Sequence, residues 1–192
     1  FAEQWGIGYL RTVNHLSILS ASSMTSAIFV GWAVGSPLMS LCSEYLKKRC
    51  LPLIIGSAGA AICASLALYD HHLSMSTMSI LFFLFGFFSS VEILVFPIAH
   101  DLIPHKLSGT AVAITNMFVN LGGFIQPLIG FALVWFSAHT YHSLSNSHYS
   151  TESYEYALLI VPLCFIVSLI LSAFFLKETH CKSIYTKTDE PR

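Results

Sequence analysis

Long uncharged stretches alternate along the chain with short charged joints. No Asp, Glu, Lys or Arg occurs from Thr12 to Ser43, from Cys50 to Tyr69 or from Leu107 to Thr151. A helix advances about 1.5 Å per residue, so roughly 20 apolar residues cross a hydrocarbon core. The pattern predicts five spanning helices near 19–43, 51–69, 77–99, 109–137 and 156–176. The first and fourth exceed one hydrocarbon thickness and must tilt or run into the headgroups. Runs such as Ile80 to Phe88 and Leu158 to Leu171 do not alternate polar with apolar residues, which speaks against the strands of a β-barrel. The predicted class is an all-α polytopic membrane protein, a helical bundle. Phe1 to Leu10 is too short to cross; it is expected to be the outer end of a further helix, with an interfacial helix as the alternative. As an outer helix end it would place Trp5 and Tyr9 at the wet edge of the membrane.

Composition agrees with a lipid medium. Charged residues make up 10% of the 192, against about 25% in ordinary globular chains, and mean hydropathy is +0.69. Eight of the nine Lys and Arg fall on joints that five crossings place on one side: Lys47, Lys48, Arg49, Lys106, Lys177, Lys182, Lys187 and Arg192. Arg11 is on the other. Such a bias orients the Lys-rich joints, and the carboxy terminus with them, toward the cytoplasm. Beyond Lys47-Lys48-Arg49 there is no basic stripe, so nucleic-acid binding has no electrostatic support. Cysteines 42, 50, 63, 164 and 181 show neither metal-ligand spacing nor a disulfide framework. His139, His142 and His148 share one polar joint without a carboxylate or cysteine to complete a metal site. No cofactor or metal is expected. Paired catalytic carboxylates, a nucleophile with a base and a metal cluster are all missing from the pattern, which disfavours an enzyme.

Polar groups inside the spans need an explanation. Glu92 lies about two-thirds of the way along 77–99, with Asp70 and Asp101 its nearest formal charges. An ionised carboxylate is costly at membrane depth, so it must face the bundle, meet a partner or take a proton. Phe85, Ser89 and Phe96 return to its helix face. Proton coupling or solute recognition is one reading; a neutral structural acid bonded to another helix is the other. Asn116 and Asn120 are four apart, with Gly123 and Pro127 near the same azimuth, and either line an aqueous route or join helices. Trp32 is read as packing or as ligand stacking, and its indole N–H needs a partner in both cases. Glu3 either enters a pathway or is solvated at the interface. Gly31 and Gly35 form a GxxxG step that permits close helix packing or a gating contact. Prolines 37, 97, 127 and 162 need protein or water to accommodate their broken ladders.

The run Gly35-Ser36-Pro37-Leu38-Met39-Ser40-Leu41-Cys42-Ser43-Glu44-Tyr45-Leu46-Lys47-Lys48-Arg49 resembles the eighth-to-ninth helix junction of the major facilitator superfamily. Glu44 corresponds to the usual aspartate of that motif, and Lys48 and Arg49 to its basic end. Ser40, Tyr45 and Lys47 replace its glycine, basic residue and second glycine. Pro104-His105-Lys106-Leu107-Ser108-Gly109-Thr110-Ala111, followed by Asn116 and Leu121-Gly122-Gly123, is similar to the tenth-to-eleventh junction and the glycine-rich eleventh helix. The resemblance implies the carboxy-terminal half of a twelve-helix transporter, from the end of helix seven through helix twelve. Residues 1–180 would form the transmembrane half and 181–192 a cytoplasmic tail. Gly35, Pro37, Glu44, Lys48 and Arg49 would serve conformational change. Its partners would be a missing amino-terminal half, the lipid bilayer, a small organic solute and protons. Secondary transport across a plasma membrane or bacterial inner membrane is the expected function. A facilitative uniporter and a non-transporting receptor with a transporter fold are the alternatives.

Overall fold

The computed structural model describes residues 1–70, 73–140 and 150–182. Its helices are α1 (Gly6–Val13), α2 (Ile18–Leu46), α3 (Cys50–Tyr69), α4 (Met75–Ser89), α5 (Val95–Asp101), α6 (Ser108–Leu121), α7 (Ile125–Thr140), α8 (Thr151–Leu158) and α9 (Ile160–Phe174). No strand occurs among the described residues. Five segments are long and apolar enough to cross a membrane: Ile18–Leu46, Cys50–Tyr69, Met75–Asp101, Ser108–Ser137 and Thr151–Phe174. They overlap the five predicted spans, and the last begins five residues earlier than expected. Its start is set by Ser150, whose hydroxyl accepts the Ser153 N–H at 3.2 Å. Ser17 and Ser74 cap α2 and α4 in the same way, through Ser20 N–H at 3.1 Å and Thr77 N–H at 3.2 Å. Each serine satisfies an N–H that the first helical turn leaves free.

Three of the predicted spans are broken helices, and each break lies at or next to the residue a proline should have bonded. Proline lacks the N–H that bonds the carbonyl four residues back, and its ring crowds that carbonyl. Pro97 disturbs Ile93, inside the 3₁₀ turn Ser90–Leu94 that joins α4 to α5. Pro127 disturbs Gly123, inside the 3₁₀ turn Gly122–Phe124 between α6 and α7. Pro162 disturbs Leu158, beside the interruption at Leu159 between α8 and α9. Tightening to i→i+3 bonds re-satisfies part of the freed backbone. Pro37 is the exception, since α2 runs through it as one helix.

The bundle closes around α4, which lies between α2 and α3. A β-carbon on Gly31 would run into the Phe83 carbonyl and the Phe87 amide, one on Gly35 into Phe87 and Ser90, and one on Gly86 into the Ile28 carbonyl. These three glycines therefore let the two backbones touch, the condition for dispersion to hold helices together where lipid removes the hydrophobic driving force. On the other side Gly56 abuts Val91 and Gly59 abuts the Phe88 ring. The α3–α9 contact adds a hydrogen bond between Ser57 and Ser168 at 3.1 Å.

α1 is a member of this bundle. Tyr9 and Leu10 are fully buried, and the Tyr9 hydroxyl donates to the Leu68 carbonyl at 2.5 Å. Tyr9 thus departs from the wet membrane-edge position expected of it: its phenol finds its partner at the end of α3 rather than in water. Trp5 is half-buried, and its indole donates to the Gln126 carbonyl at 3.3 Å, seating α7 on α1. Large apolar side chains such as Phe118, Phe131, Trp135, Phe174 and Phe175 are exposed. In water they would form an oversized apolar surface; against lipid they are the surface the medium requires.

The glycine contacts make a directional prediction for the complete protein in detergent. Gly86→Ala should destabilise by about 1–3 kcal/mol, the usual penalty for overpacking. At Gly109 an added methyl meets nothing within 4 Å, so Gly109→Ala should leave the thermal midpoint unchanged or slightly raised. Equal midpoints for the two variants would contradict the α2–α4 contact.

Candidate functional site

Two groups of polar side chains stand out from the apolar bundle. The first lies within two spanning segments, Ile18–Leu46 and Met75–Asp101. α2 presents Trp32 beside Gly31, and the 3₁₀ turn after α4 presents Glu92. The Trp32 indole N–H donates to Glu92 Oε1 at 3.2 Å. That bond is Glu92's one hydrogen-bond partner among the described residues. Both side chains remain exposed on the surface of the described bundle. Ser36, one turn along α2, donates to the Trp32 carbonyl at 2.8 Å, and Phe29, three residues back on the same face, is 48% exposed. The result is a carboxylate held by one oxygen against an indole, on a face of α2 that also carries the exposed Phe29.

The other candidate side chains are not joined to this pair. Asn120 donates to the Asn116 carbonyl of its own helix at 2.7 Å, and both asparagines are exposed. Neither side chain bonds another helix among the described residues. Glu3 is exposed in the turn preceding α1. His142 and His148 lie outside the described residues, as does the side chain of His139. Among the described residues no three His, Cys, Asp or Glu are grouped to hold a metal ion.

The second group lies at the end carrying Lys47, Lys48 and Arg49. α2 stops there with Lys47 at φ 50, ψ 37 and the Lys48 N–H bonded back to the Ser43 carbonyl at 3.2 Å. The left-handed position is the one glycine occupies at many helix ends, and it coincides with the second glycine of the junction motif. The turn carries Arg49 inward. Its Nε meets Asp101 Oδ2 at 3.2 Å, with both side chains under 10% exposed. Its Nη1 donates to Ser43 Oγ at 3.2 Å, and Thr179 Oγ1 donates to the same Asp101 oxygen at 3.1 Å. Arg49 thereby ties the ends of α2 and α5 to the segment after α9. Glu44, expected as the acidic member of the motif, is exposed and makes no ion pair among the described residues; Lys48 and Pro37 are exposed as well.

Glu178 completes the group. No side chain near Arg49 in sequence caps α3. Glu178 does so from the far end of the chain, accepting the Arg49 N–H at 2.6 Å and the Cys50 N–H at 3.0 Å. Its Oε1 also accepts the His180 N–H at 3.2 Å. Burial works against the ionised form, but these backbone donors outweigh it and hold the carboxyl below its ordinary range. A carboxylate at a helix N-terminus also gains from the helix dipole. Sequence reading missed Asp101, Glu178, Ser43 and Thr179. The available signal was that Asp101 and Glu178 are the acids closing the third and fifth spans on the Lys-rich side.

Comparison with known proteins adds the family context. The profile of the Major Facilitator Superfamily matches residues 5–190. A major facilitator superfamily multidrug transporter of Candida albicans, FLU1, is 24% identical over 182 residues, which is 94% of this chain and 27% of that protein. The probable galactarate/D-glucarate transporter GudP of Escherichia coli K12 is 25% identical over 137 residues, 67% of this chain and 30% of that protein. The chain therefore spans less than a third of the length of either relative. No solved structure gives a significant match.

Two outcomes follow for the Lys-rich end, both read as thermal midpoints of the complete protein. Asp101→Ala leaves Arg49 buried without its counter-charge and should destabilise by about 3–5 kcal/mol, whereas Glu44→Ala should stay within about 0.5 kcal/mol. Comparable losses for the two variants would contradict the assignment of Asp101 as the partner of Arg49. For Glu178, a lowered carboxyl contributes stability above the unfolded value, near 4.3 for glutamate, and loses it as pH falls through the lower folded value. Glu178→Gln should therefore be less stable than wild type at pH 7, with the gap shrinking below about pH 4. A gap independent of pH would contradict the cap.

Proposed function

Because the chain belongs to the Major Facilitator Superfamily, matched over residues 5–190, we propose that the complete protein moves a small organic solute across the membrane by secondary transport, with Glu92 carrying the coupled proton. The observation that carries this reading is the placement of Glu92. It is the acid farthest from the ends of the five spans, it lies in a proline-induced break of a spanning helix, and a neutral indole is its partner. A carboxylate facing hydrocarbon would be costly, so its exposed side is read as facing a polar route. A neutral donor leaves the carboxyl free to exchange a proton without breaking an ion pair. The charged groups on elements packed against this turn stand well away: Glu44 is about 18 Å along α2 from Trp32, and His100 and Asp101 about 12–14 Å along α5 from Glu92, at 1.5 Å per residue.

Many secondary transporters place solute and ion sites at broken helices, where freed backbone lines a cavity. Asn116 and Asn120 precede a second such break, and Glu3 and Trp32 are further contacts assigned to the pathway. The Arg49 group supplies the conformational part of the proposal. One buried arginine joins three segment ends, so opening the bundle at that face requires its bonds to part together. Gly35 and Pro37 lie where α2 must flex against α4, and Lys48 stays at the surface beside the group. The Lys-rich face is taken as cytoplasmic, on the charge bias, and the remaining transporter half and the lipid bilayer as the partners.

Proton coupling is tested in vesicles containing the complete protein, with an imposed proton gradient and a panel of labelled solutes. Wild type should accumulate its solute only with the gradient. Glu92→Gln, shown to be folded by size-exclusion elution, should lose gradient-driven accumulation, because an amide cannot carry the coupled proton. Accumulation with unchanged pH dependence in Glu92→Gln would remove Glu92 from the mechanism.

A further inference from the structure

Resting on the reading that Trp32 and Glu92 border the solute path, we infer that the solute this half recognises is an organic cation with an apolar or aromatic body. No Lys or Arg occurs in any of the five spanning segments, so their interior offers an anionic solute no counter-ion. The carboxylate deepest within those spans is Glu92, and the indole N–H occupies only one of its oxygens. An exposed carboxylate with an open oxygen, on a route walled by apolar helices, attracts a positive charge more strongly than the same group surrounded by water alone, because the walls focus its field.

The neighbours match such a solute in shape as well as sign. Trp32, its indole bonded to Glu92, is 38% exposed and Phe29 is 48% exposed on the same helix face. Aromatic faces attract ammonium groups through the ring quadrupole, tryptophan most strongly, and also receive flat apolar bodies. A carboxylate, an indole and a phenyl ring thus supply charge, cation–π contact and apolar contact together. The asparagines at 116 and 120 are neutral, and one of them already bonds its own helix, so they add no opposing preference.

Binding to the purified complete protein at pH 8 tests the inference with three probes of similar size: phenyltrimethylammonium, its neutral carbon isostere tert-butylbenzene, and benzenesulfonate. The cation should bind at least about tenfold tighter than either of the others. Glu92→Gln should abolish that preference and Glu92→Asp should retain part of it. Trp32→Phe, which keeps a ring face, should bind the cation nearly as wild type, and Trp32→Leu about fivefold more weakly. That second pair keeps the test decisive if Glu92→Gln does not fold. Benzenesulfonate binding as tightly as the cation would overturn the inference, as would a folded Glu92→Gln with unchanged cation affinity. Cation preference without proton-driven flux in vesicles would support the inference while removing the transport reading. Proton-driven flux of anions would overturn the inference alone.

Discussion

Where α2 passes α4, Gly31, Gly35 and Gly86 remove the β-carbons that would hold the two backbones apart. In lipid there is no water to expel, so close approach is what makes dispersion strong enough to hold one helix against another. The register of that contact has a consequence one residue away. Trp32 follows Gly31 directly, and the contact brings its indole within hydrogen-bond distance of Glu92, 60 residues on in sequence. A longer distance between α2 and α4 would leave the indole N–H and the carboxylate without each other as partners.

The medium imposes a second condition, that backbone groups find partners within the protein. The chain meets it differently at its two faces. On the Lys-poor face, serines 17, 74 and 150 cap the helices they precede. On the Lys-rich face α3 receives its cap from Glu178, across 128 and 129 residues of sequence. A local cap holds one helix end; a distant one also holds two segments together. Combined with the Arg49–Asp101 pair, it joins the ends of α2, α3 and α5 to the segment after α9, which suits a face that closes and opens as a unit in the proposed cycle.

Much of the fold was legible because the hydrophobic pattern depends on the medium alone. Stretches free of charge marked the five spans, and the prolines marked where ladders must break. What the pattern could not convey was that three breaks become 3₁₀ or turn interruptions while α2 absorbs Pro37 unbroken, since that depends on what packs alongside. The sites show the same division. Glu92 and Trp32 were each conspicuous as polar groups at membrane depth, but their pairing depends on helix contact. Arg49 was recognisable from its motif, and Glu44, five residues away, was its nearest acid in sequence. The fold instead turns Arg49 inward through the left-handed Lys47, toward Asp101 and Thr179. Tyr9 was assigned to the membrane edge on aromatic character, and burial against α3 reversed that.

The central claim is that helix contact holds the Trp32 indole on the Glu92 carboxylate. It is tested most directly by the indole N–H resonance of Trp32 in the complete, ¹⁵N-labelled protein, assigned by substitution. The account predicts a downfield, slowly exchanging signal that moves upfield and exchanges faster when Glu92 is replaced by alanine. A Trp32 indole signal that is the same with and without the Glu92 carboxylate would contradict it.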